Sequence, residues 1–93
     1  MPKYVITALG FANGTHCPHA GMYLRSFDHD AIGGIGHGVF TRHANRAQTF
    51  KDQREALAFW HRQSKVRPWR ADGKPNKPLT ALTVSIEPLE EPA

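Results

Sequence analysis

The 93-residue sequence has one cysteine, Cys17, and only two methionines and two tryptophans. A single thiol excludes an intrachain disulfide framework and fits a reducing cytoplasm, so packing alone must hold the fold together. Long hydrophobic runs are missing as well. The most apolar stretch, Tyr4 to Ala12, is too short to span a bilayer and carries no processing site of small residues, so no membrane partner is expected. Acidic residues are scarce between His61 and Pro78, where Asp72 stands alone among Arg62, Lys65, Arg67, Arg70, Lys74 and Lys77. Half of the 12 Lys and Arg residues therefore fall in one short segment of a chain whose formal charge is +4. That concentration points to an acidic partner.

A chain of this length cannot divide into two independent cores. The expectation is one domain over 1–88 and a frayed acidic, proline-bearing tail over 89–93. A large internal cavity does not fit, so any site lies on the surface, in a shallow groove, or between copies.

Tyr4 to Leu9 is rich in β-branched and apolar residues on both faces, as an interior strand would be. Asn13-Gly14 marks a turn. A second strand is expected from Met22 to Asp28, and a third from Val39 to Arg42 after the glycine-rich, mobile stretch Ile32 to Gly38. Asp52 and Glu55 form an aspartate-led capping box for the one strong helix. Its apolar stripe is Ala56, Leu57, Trp60 and Ser64, widened by Phe59. Leu82, Val84 and Ile86 alternate with Thr83, Ser85 and Glu87 in the last strand. The order β-β-β-α-β predicts an α+β fold: a small antiparallel-leaning sheet of three to four strands with one amphipathic helix packed on it. Strand order stays open, and so does the choice between a monomer and a homodimer paired through an exposed edge strand.

Three constellations could carry chemistry. His16, Cys17 and His19 put three metal-ligating side chains within four residues, and His29, His37 or His43 could add a fourth. No second ligand pair with a defined spacer accompanies them, which favours loop histidines around a small buried thiol and no bound metal. Nucleophilic catalysis by Cys17 needs an aimed base and oxyanion donors, and sequence neighbours do not supply aim. The Gly33–Gly38 stretch lacks the following helix and the Gly-Lys-Ser/Thr ending of a phosphate loop. With no complete catalytic constellation, neither an enzyme nor a cofactor is expected.

The basic segment carries the functional expectation. Arg62, Lys65, Arg67, Arg70, Lys74 and Lys77 can contact phosphates, Trp69 offers a stacking face, and Asn76 either reads a base edge or stabilises a turn. The competing account is a solvated helix end with Trp69 folded back into the core.

At Phe11-Ala12-Asn13-Gly14, Cys17-Pro18-His19-Ala20-Gly21, Phe59-Trp60, Ser64, Arg67-Pro68 and Asp72 through Ala81, the chain resembles small uncharacterised proteins encoded in proteobacterial phages and prophages. The resemblance spans most of the sequence. It implies a phage or prophage genomic setting, in which small proteins of this size often act by binding, either to phage or host nucleic acid or to a host machine that they inhibit, as anti-CRISPR proteins do. The combined expectation is a non-enzymatic module that contacts nucleic acid or a nucleoprotein through the basic segment. The alternatives are a protein–protein module that meets an acidic host or phage protein and, behind it, a thiol or metal-dependent enzyme.

Overall fold

The computed structural model describes residues 3–89. Four strands form one sheet: β1 (Lys3–Phe11), β2 (Tyr23–Asp28), β3 (His37–Thr41) and β4 (Leu82–Leu89). A single turn, α1 (Ala31–Gly34), links β2 to β3, and the main helix, α2 (Gln53–Trp60), precedes β4. The spatial order is β3-β2-β1-β4 with every neighbouring pair antiparallel, so the expected α+β architecture is present. The β1–β4 register runs from Lys3 opposite Leu89 to Phe11 opposite Leu82, with a shift between Ala8 and Gly10. Leu89 therefore belongs to the sheet, one residue past the expected end of the domain. The remainder of the expected frayed tail lies outside the described residues.

β1 and β2 do not run side by side along their length. They meet at Thr7 and Tyr23. The N-terminal half of β1 instead exchanges two bonds with Phe50, Tyr4 N–H to the Phe50 carbonyl at 2.9 Å and the reverse at 2.8 Å. Gln48 N–H donates to the Leu24 carbonyl of β2 at 2.9 Å. Residues 48–50 thus form a wedge that satisfies the facing backbone groups of both strands, which would otherwise be buried without partners.

The core lies between the sheet and α2. Ile6, Leu24 and Leu82 project from the strands onto Ala56 and Phe59 of the helix, with Cys17, Phe50 and Leu79 closing the edges. Val84 and Ile86 pack against the same cluster, as their alternation predicts. An eight-residue helix is not stable by itself. Its first turn is capped by Asp52 Oδ1, which accepts from Glu55 N–H at 2.8 Å. At the other end Trp60 Nε1–H donates to the Leu82 carbonyl at 3.1 Å, tying helix to sheet. His29 Nε2–H donates to the Phe59 carbonyl at 3.0 Å in a buried bond near the helix end.

Two local expectations are corrected. The helical stripe does not include Leu57, which is exposed, or Ser64, which lies beyond the helix end at Trp60. The glycine stretch is not featureless: Ile32 and Gly33 take left-handed φ of 54° and 63°, turning the chain so that Gly34 is buried. An isoleucine in that region is strained, because its branched Cβ crowds the backbone.

Candidate nucleic-acid interface

The segment after α2 is built around one carboxylate. Asp30 sits just beyond β2, where Asp28 Oδ1 accepts its N–H at 2.9 Å in an Asx turn. Its own Oδ1 accepts from the Lys65 amide at 2.7 Å, the Ser64 hydroxyl at 3.0 Å and the Val66 amide at 3.4 Å. The Lys65 amide, followed by the Ser64 hydroxyl, holds the Asp30 carboxyl below the usual carboxylate range, since each donor favours the ionised form. Ser64, 1% exposed, passes the clamp onward, its Oγ accepting from Arg67 N–H at 3.2 Å.

Asn76 closes the segment from the far side. Its Nδ2 donates to the Gly34 carbonyl at 2.7 Å and to the Arg67 carbonyl at 2.9 Å. Its backbone accepts from Ser64 N–H and donates to the Pro68 carbonyl, both at 2.9 Å. Between these anchors the chain makes a small hairpin in which Trp69 faces Pro75 and Arg70 N–H donates to the Lys74 carbonyl at 2.8 Å. Gly73, at φ 84°, supplies the tip. The basic segment is therefore an exposed hairpin, residues 65–75 facing solvent, whose backbone is held by hydrogen bonds.

The hairpin, the α1 turn, the end of β1 and the turn before β4 enclose a groove of about 590 Å³. Arg67, Arg70 and Lys77 line it, together with the apolar Phe11, Ile35, Pro75 and Pro78 and the polar Asn13, Asn76 and Thr80. No carboxylate is among the lining residues. Among the described residues the one ion pair is Arg70 to Asp72 at 3.4 Å, both side chains exposed. Such a pair is worth little and yields readily to a competing anion.

The structure divides the eight sequence-selected binding residues. Arg67, Arg70, Asn76 and Lys77 line the groove, and Trp69 and Lys74 belong to the hairpin that walls it. Arg62 and Lys65 instead border a separate depression of about 220 Å³ with Asp28, His29 and Asp30. Arg62 also lies over the Phe59 ring at 5.1 Å, a cation–π contact that helps close the core. Trp69 is 59% exposed, which removes the account in which it folds back into the interior. The Asn76 carboxamide acts as a pin, because its NH₂ is bonded to two carbonyls.

His16, Cys17 and His19 point apart: Cys17 is buried in the core, His16 is exposed, and His19 stacks on Phe40 with centroids 4.4 Å apart. Among the described residues no group of three or more His, Cys, Asp or Glu side chains converges as a metal site would, and no helix is long and apolar enough to cross a membrane. The groove residues Asn13, Ile35 and Thr80 and the clamp residue Asp30 were not selected from sequence. Asp30 had one available signal, its position at a strand end, which marks a turn but not the partner it reaches.

Fold and groove together define a small α+β domain with a cationic surface groove. No protein-family model, no curated protein and no solved structure matches the chain.

Proposed function

We propose that this protein is a non-enzymatic binding module of phage or prophage type, working in the cytoplasm, that holds nucleic acid or a nucleoprotein. One observation carries the reading: Arg67, Arg70 and Lys77 line one groove without a lining carboxylate, on a wall fixed by Asp30, Ser64 and Asn76. A held backbone keeps the three cations on one wall without further ordering of the chain, so their charge is available to phosphate. A second reading, a protein–protein module acting on a host machine, draws on the exposed Ile32, Ile35 and Val66 around the same clamp.

The two readings separate by salt. Three phosphate contacts give a log–log salt slope of about −2 to −3, measured by fluorescence anisotropy with a mixed pool of labelled DNA and RNA. Arg67→Ala combined with Arg70→Ala lowers the slope magnitude by about 1.4 to 1.8. Absence of binding at low salt, or an unchanged slope in the double variant, overturns the nucleic-acid reading in favour of the protein one.

A further inference from the structure

Resting on the nucleic-acid reading above, we propose that the groove takes single-stranded rather than duplex nucleic acid, with an unstacked base against its apolar lining and the neighbouring phosphates on Arg67, Arg70 and Lys77. The argument begins with shape. A cleft of about 590 Å³ falls in the range of roughly 300 to 1,000 Å³ that small-molecule sites occupy. It can admit a nucleotide unit, whereas a duplex presents a convex surface with its bases stacked inside and reaches only the rim.

Lining chemistry points the same way. Phe11, Ile35, Pro75 and Pro78 give the groove apolar surface beside its three cations. A duplex backbone offers that surface only sugar and charge, while a splayed base offers a flat, weakly hydrated face. In the same lining Asn13, whose Oδ1 accepts from Thr15, keeps its NH₂ for a base edge, and Thr80, whose hydroxyl donates to the Lys77 carbonyl at 2.6 Å, keeps an acceptor lone pair.

Trp69 supplies the third observation. Its backbone neighbours are held, Pro68 by the Asn76 amide and Arg70 by its bond to Lys74, yet the indole is 59% exposed. Its cross-strand partner Pro75 and its chain neighbour Arg70 line the groove, and the indole itself stands outside the lining, on the hairpin that walls it. An exposed indole on a bonded hairpin, set between Arg67 and Arg70 in sequence, is a ready stacking platform.

The test compares labelled oligothymidylate and oligouridylate of about 12 nucleotides with a duplex of the same length, by fluorescence anisotropy on the full chain at matched salt. Either single strand is expected to bind at least about tenfold more tightly than the duplex, and Trp69→Ala to weaken it roughly 5- to 150-fold. Trp69→Phe should restore most of that loss, and circular dichroism checks that both variants fold. Duplex binding as tight as single-strand binding, or an unchanged single-strand affinity in Trp69→Ala, overturns this inference. The broader reading survives that result if the salt slope still depends on Arg67 and Arg70. No binding of any of the three probes removes both.

Discussion

Two adjacent glycines give a perturbation with its own control. Gly33 has φ 63° and open space around the position a Cβ would take. Gly33→Ala therefore incurs only left-handed strain of about 1 to 2 kcal/mol, partly offset by a less flexible unfolded chain worth about 0.4 to 1 kcal/mol. The net loss is roughly 0.5 to 1 kcal/mol. Gly34 has φ 96° and a Cβ there would lie 2.6 Å from Arg67 Cβ, 3.1 Å from Ser64 Oγ and 3.2 Å from Asn76 Nδ2. Arg67 Cβ cannot swing away as a side-chain tip would, so the backbone over Ser64 to Arg67 must shift. Overpacking of that kind adds about 1 to 3 kcal/mol, bringing the total to roughly 2 to 4 kcal/mol. Urea unfolding followed by far-UV circular dichroism should show a larger midpoint loss for Gly34→Ala than for Gly33→Ala, with m unchanged. Amide exchange at Lys65 and Val66, both bonded to Asp30, should accelerate only in Gly34→Ala. Equal destabilisation of the two variants, within about 0.5 kcal/mol, would refute the clamp as the determinant of this region.

Two further outcomes test the core and the buried His29. Phe59→Ala should cost about 3 to 5 kcal/mol, because the ring packs against Phe50 and His29, whereas Leu57→Ala on the exposed face should cost under about 1 kcal/mol; comparable urea midpoints would contradict the helix orientation. Burial, the largest cause, lowers the His29 pKa from 6.5, with the Arg62 charge adding to it and the bond to the Phe59 carbonyl opposing it. The folded state then binds the proton less well than the unfolded chain, so stability is complete above about pH 6.5 and falls as pH drops through the window below it. Urea midpoints measured from about pH 8 to about pH 5 should decline, and His29→Gln should flatten the decline. A midpoint that rises on acidification would reverse the sign of the argument.

Much of the fold was readable because local rules and tertiary demand agree. The alternation at Leu82, Val84 and Ile86 survives as a core-facing row, and Asp52 caps the Glu55 amide as its spacing implies, whereas the reciprocal bond from the Asp52 amide to the Glu55 carboxylate is absent among the described residues. The wedge at residues 48–50 was not readable, because Gln48, Thr49 and Phe50 contain one apolar side chain and no period. Ser64 shows how a correct burial can have a different cause: it falls on the helical spacing, yet it is buried by its hydroxyl bond to Asp30, 34 residues away in sequence. Charge density in sequence located the groove wall but not its division. Arg62 and Arg67 are five residues apart, and the turn over Asp30 sends them to separate depressions.

The pairing of Lys3 with Leu89 sets how the domain responds to force. β1 and β4 are antiparallel and their outer ends lie side by side, so tension applied through residues 3 and 89 loads the ladder at one end and opens its pairs one after another, like a zipper. A sheared ladder resists with many bonds at once, whereas this one resists with one or two. β1 is also the strand that carries Val5, Ile6 and Ala8 into the interior. Peeling β4 from it strips one wall from the core, so the protein should be mechanically soft along this axis even where it is thermodynamically stable.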